Sequence, residues 1–175
     1  MSISAELRDR VRKRAQFACE FCGVSETDTA GQLTIDHFQP RTQGGSDDLD
    51  NLIYCCHRCN EYKADYWPAN PTEPMLWNPR REIFDTHFLM LADGTLYAKT
   101  QTGEFTLRRV RLNRPPLVAH RLRKQQHAEE QRLFMRHRDV LVLLEQLHQH
   151  EATLLEENRD LLELQRTLLR ILLGK

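Results

Sequence analysis

No run of the 175-residue chain is apolar for long enough to cross a bilayer. The opening MSISAELRDRVRKR is charged throughout and lacks an apolar signal core, so a soluble, cytoplasmic protein is expected, with no membrane partner. Excess charge of either sign is missing too: 25 Lys and Arg balance 25 Asp and Glu. Cysteine is absent after residue 59, and disulfides are unusual in a reducing cytosol. Between Pro116 and Gly174 there is neither proline nor glycine, which excludes a turn-rich C-terminal part. What remains, 40 % apolar and 29 % charged residues, suits a chain that largely folds.

The zero net charge hides an uneven distribution. Residues 1–70 carry net −3, residues 71–128 net +5 and residues 129–175 net −2. The basic middle is densest in LRRVRLNRPPLVAHRLRK, where seven cations stand without an acid. Arg108, Arg109, Arg111 and Arg114 are the candidates there for contact with nucleic-acid phosphates.

All five cysteines lie in the first 59 residues. Cys19-Glu20-Phe21-Cys22 and Cys56-His57-Arg58-Cys59 are both C-x2-C pairs, with 33 residues between them. Two such pairs present four thiolates to one tetrahedral Zn²⁺. Four sulfurs close the coordination sphere, so the expected metal is structural and performs no chemistry. Cys55, one residue early for this spacing, is expected to pack in the core.

Local patterns order the first 67 residues. SAELRDRVRKRAQ reads as a helix with Ser4 as N-cap and Leu7, Val11 and Ala15 on one face. QLTIDHF reads as a strand, RTQGGSDDLD as a loop, NLIYCC as a second strand and CNEYKADYW as a helix stopped before Pro68. The result is a ββα unit stapled by zinc. His37 falls on its first strand and Asn60 at the start of its helix. An imidazole titrates near neutrality and suits a general base. Oxygen donors such as Asp36 and Asn60 suit Mg²⁺ or Mn²⁺, and such an ion can hold a scissile phosphate. His57, inside the second cysteine pair, is the alternative to Asn60. Lys63 lies three residues after Asn60 on the same helix face, as a phosphate contact or a solvated lysine.

The order C-x2-C, Asp36-His37, Gly44-Gly45, Asn51-Leu52 and C-x2-C-N-x2-K resembles the HNH endonucleases, of the ββα-metal class. The opening VRKRAQFACEFCG is similar to that of their zinc-knuckle members, and the likeness covers residues 5–67. The resemblance implies a metal-dependent hydrolase of DNA phosphodiesters. His37 would be the general base, Asp36 and Asn60 the ligands of the catalytic divalent ion, and Asn51 the anchor of the loop that aims His37. Asn60 stands where the family name places its final His.

Three regions are expected: a nuclease unit over 1–67, a basic connector with a small β-meander over 68–115, and a helical association region over 116–175. In the second, Trp67, Met75 and Trp77 should wrap the connector onto the nuclease unit. Asp93-Gly94 and Thr102-Gly103 mark two turns of the meander. In the third, Leu133, Val140, Leu147, Leu154, Leu161 and Leu168 recur at sevens, predicting a long amphipathic helix or a helical hairpin. The fold class is thus α+β. The leucine stripe predicts a homodimer or a protein partner, with fold-back onto the chain's own domain as the other way to cover it. Two further functional readings stand beside the nuclease: a zinc-stabilised DNA-binding module without catalysis, and the nuclease subunit of a larger defence or mobile-element complex. Asn-Pro-Arg and His-Phe segments like those after residue 77 follow the motif in some bacterial HNH proteins.

Overall fold

Ser4 opens the first helix: its hydroxyl accepts from the Leu7 N–H at 3.2 Å, and α1 runs Ala5–Arg14 in the computed structural model, which describes residues 3–173. The outermost parts of the expected 1–67 and 116–175 regions, residues 1–2 and 174–175, lie outside the described residues. Val11 is fully buried, with Leu7 and Ala15 partly buried beside it. Gln16 and Phe17 then take positive φ values of 52° and 59°, which turn the chain sharply after α1.

A short helix α2, Glu26–Thr29, follows behind a Ser25–Asp28 capping box. Its Glu26 carboxylate accepts from Arg12 Nε at 2.5 Å and Nη2 at 2.6 Å, and the Tyr54 hydroxyl also donates to it. The hydrogen bonds from Arg12 and then Tyr54 lower the Glu26 pKa to about 2. The same Tyr54 oxygen accepts from the Leu33 N–H at 2.8 Å.

Strands β1 (Thr34–His37) and β2 (Leu52–Cys55) pair antiparallel, with Thr34 opposite Cys55 and His37 opposite Leu52. All four residues of β2 are buried, as expected of a strand covered on both faces. Helix α3, His57–Lys63, begins two residues later. This is the expected ββα unit, except that its helix ends at Lys63 rather than at Trp67, with Ala64 at φ 50° just after it.

The segment after Pro68 packs into the same core. Trp77 is buried and meets Phe21, Phe84 and Phe88 edge-on, with ring centroids 6.3, 5.5 and 5.3 Å away. Trp67 meets Phe38 edge-on at 6.0 Å. Met75, expected to share in this packing, is instead exposed. One turn of helix, α4 (Phe84–His87), leads into β3 (Phe88–Met90), which pairs antiparallel with β4 (Leu96–Ala98) around Asp93-Gly94.

The second half of the expected meander is a helix, α5 (Gln101–Arg109), with the Thr100 hydroxyl accepting from Gly103 N–H at 3.0 Å. Thr102-Gly103 is therefore not a turn. Glycine stands there because a Cβ would come within 2.4 Å of the His87 carbonyl oxygen.

Pro115 and Pro116 open α6, Pro115–Leu172, at positions where a helix needs no N–H. Leu117 joins the core that begins at Val11. Arg121 is buried and donates to the carbonyls of Gly94 at 2.6 Å and Leu112 at 3.0 Å. The chain divides into two compact units, 1–124 and 125–175. The second unit is helical through Leu172, and every described residue from Gln126 onward is exposed, including the five leucines and one valine of the heptad. Among the described residues no helix is long and apolar enough to cross a membrane.

Candidate active site

The four cysteines of the two C-x2-C pairs converge. Their sulfurs all lie within 4.8 Å of one another, and Cys22 Sγ is 3.7 Å from Cys56 Sγ. Tetrahedral zinc with Zn–S bonds of 2.3 Å sets its sulfurs about 3.8 Å apart, so the donor set and spacing fit such an ion. Local structure explains the convergence. Gly23 N–H donates to the Cys19 carbonyl at 2.8 Å and adopts φ +75°, which closes the first knuckle. Cys56 caps α3 and Cys59 lies in its first turn. Cys55 is buried against Thr34 Oγ1 at 3.8 Å, outside this cluster.

The loop between the strands is tightly latched. The Asn51 carboxamide accepts from Gln39 N–H at 2.8 Å and donates to the carbonyls of Gln39 at 3.0 Å and Ser46 at 2.8 Å. Gly45 passes so near that a Cβ would fall 1.8 Å from the Gln39 carbonyl oxygen, so only glycine fits. His37 is the last residue of β1. Its Nε2 lies 2.7 Å from Asp47 Oδ1. Arg41 forks onto the same carboxylate, with Nε at 2.9 Å from Oδ1 and Nη2 at 2.6 Å from each oxygen. Arg41 first, and His37 second, hold the Asp47 carboxyl below its ordinary pKa. In the sequence, the only signal for Asp47 is a cation and an acid flanking the glycine turn.

Lys63 is wholly buried. Its Nζ donates to the His37 carbonyl at 2.7 Å and the Ala64 carbonyl at 3.3 Å, and sits 2.8 Å from Asp36 Oδ2. The last contact has ion-pair distance but not hydrogen-bond direction, since Oδ2 has no hydrogen-bond donor. Charge attraction does not need that alignment, and the two groups form an ion pair. A phosphate contact by Lys63 is thereby corrected: a buried ammonium already holding β1 has no path to a phosphate. Asn60, one turn earlier on α3, has a carboxamide without a hydrogen-bond partner among the described residues. Its oxygen is available as a donor to a hard cation.

The basic stretch divides by task. Arg114 Nη2 donates to Cys59 Sγ at 3.4 Å and Cys56 Sγ at 3.8 Å. Part of its guanidinium is thus engaged at the thiol knuckle. Arg111 lies over the Tyr62 ring, 4.6 Å from the centroid, and Arg109 over Tyr66 at 5.0 Å, with both arginines exposed. Arg108 pairs with Glu104 on the exposed surface of α5. His57 lines a cleft of about 640 Å³ with Arg58, Arg114, His120 and Arg123.

A two-stranded hairpin, a short helix and a four-thiol knuckle make up a ββα unit. Residues 19–65 match the family model described as HNH endonuclease. No curated protein and no solved structure matches the chain. Residues 66–173 lie outside the family match.

Proposed function

We propose that the protein is a metal-dependent HNH endonuclease that hydrolyses DNA phosphodiester bonds. The reading is carried by His37, which ends β1 with one ring nitrogen held by a carboxylate, in the matched segment that also contains the oxygen donors Asp36 and Asn60. His37 takes a proton from water. Asn51 fixes the loop across from it by its three hydrogen bonds. Asp36 and Asn60 would hold Mg²⁺ or Mn²⁺, an ion that supplies positive charge against the negative charge of phosphoryl transfer. The four cysteines would hold structural Zn²⁺. Arg108, Arg109 and Arg111, exposed on the basic segment, are the phosphate contacts of this reading.

Plasmid nicking with Mg²⁺ or Mn²⁺, against EDTA, tests the reading. His37→Ala should lower the cleavage rate by about 10²–10⁴-fold, the usual contribution of a general base, while DNA affinity and fold persist. Near-normal nicking by that variant would remove His37 from the mechanism. A second reading has one observation in its favour: Asp36 is already paired with Lys63, so its charge is balanced without a metal. A zinc-stabilised DNA-binding module would then shift DNA on gels in EDTA and Mg²⁺ alike and cut in neither.

The exposed heptad of α6 supports association, either as a homodimer or with a protein of a larger defence or mobile-element complex. Arg136, His150 and Glu157 interrupt the stripe. For the homodimer, light scattering should give at least twice the chain mass, and removal of residues 129–175 should return a monomer. A monomeric full-length protein would refute self-association.

A further inference from the structure

We propose that Asp47 is a positioning residue for His37, fixing which ring nitrogen faces water. The inference rests on the nuclease reading above and adds a residue to it. An ionised carboxylate only accepts hydrogen bonds. With Asp47 2.7 Å from His37 Nε2, that nitrogen must carry the proton, and in the neutral ring Nδ1 keeps the free lone pair. Arg41 keeps the carboxylate ionised and in place through its fork of 2.6–2.9 Å contacts.

The loop is built to hold this arrangement. Asp47 follows Ser46, whose carbonyl accepts from Asn51, and Gly45, whose missing Cβ lets the loop close on Gln39. Arg41 stands on a single 3₁₀ turn, Arg41–Gln43, on the other side of the glycines. The loop thus brings a cation from one arm onto an acid from the other, and that acid onto the imidazole.

In the reaction, Nδ1 accepts a proton from water as its oxygen forms a bond to phosphorus. The electron pair of the breaking P–O3′ bond leaves with the 3′-oxygen, which is protonated from solvent. The ring becomes an imidazolium whose Nε2–H still faces Asp47, so the carboxylate stabilises the charge that develops. Asp47 touches neither water nor phosphate in this scheme. It orients the base.

The full-length, zinc-loaded protein allows a direct test. Proton–nitrogen NMR of the histidine rings at alkaline pH, where imidazoles are neutral, should show for His37 a downfield Nε2–H signal protected from exchange. Asp47→Ala should lose that signal, and kcat should fall on the order of 10²-fold, the cost of a reacting group displaced by about 1 Å. KM, DNA affinity and zinc content should stay unchanged. Asp47→Asn, whose amide oxygen still accepts, should keep the signal and recover part of kcat. A protected Nε2–H signal that survives in Asp47→Ala, or a kcat unchanged in that variant, would overturn the proposal while leaving a cleaving wild type as a nuclease. A signal lost in Asp47→Ala from a wild type that does not cut would retain the positioning contact and overturn only the nuclease reading.

Discussion

Replacing Cys56 or Cys59 with serine is expected to release zinc and unfold residues 3–124 together. The knuckle joins the chain end of α1, through Cys19 and Cys22, to the start of α3, through Cys56 and Cys59. A structural zinc site of this kind contributes about 10–16 kcal/mol of apparent binding free energy at neutral pH. Whole domains are stable by only about 5–15 kcal/mol, so loss of the ion removes most or all of the margin. The unfolding should not stop at residue 67, because Trp77 and Phe88 pack in the same core as Phe21 and Leu52. Elemental analysis and a circular-dichroism melt check this. Cys55→Ser serves as the control: its buried sulfur lies outside the cluster, so zinc should remain, with a loss of about 1–3 kcal/mol for the buried hydroxyl. A Cys56→Ser protein that keeps one zinc and the wild-type melt would sink the structural role of the metal.

Much of the ββα unit was legible because its signals are local. The Ser4 cap, the QLTIDHF strand and the paired cysteines each act within a few residues, whereas the helix expected to run up to Pro68 ends at Lys63. The HNH family match falls on the segment that those signals delimit. Where local signals fell short, the deciding partner lay far along the chain. Thr102-Gly103 has the composition of a turn, yet Gly103 is selected by the approach of the His87 carbonyl and Thr100 caps a helix there. Arg114 belongs to a basic run, but its guanidinium meets sulfurs 55 and 58 residues earlier. Asp47 looked like one more solvated loop acid until the hairpin brought His37 and Arg41 to it. A charge announces that it needs a partner or water; only the tertiary fold decides which it receives.

Lys63 carries the other large expected effect. Helix periodicity correctly put it on the face of Asn60, and the same periodicity could not say that this face is turned toward β1. Its ammonium donates to the His37 and Ala64 carbonyls and pairs by charge with Asp36. Lys63→Met keeps the volume of the stem and deletes the charge. Two carbonyls and a carboxylate with a buried oxygen are then left without their cation. Breaking such a pair from one side typically costs about 3–5 kcal/mol. The lower part of that range is expected, because the Asp36 side chain retains 18 % of its exposure and water can reach it. Chemical denaturation should therefore show a Lys63→Met protein weakened by about 3 kcal/mol. Adding Asp36→Asn should recover part of that loss, since the unpaired charge is removed, while cleavage stays absent because a proposed ion ligand has gone. The opposite pattern is equally readable. A Lys63→Met protein of wild-type stability that binds DNA less tightly would place the ammonium on phosphate and reverse the assignment of Lys63 as the brace between α3 and β1.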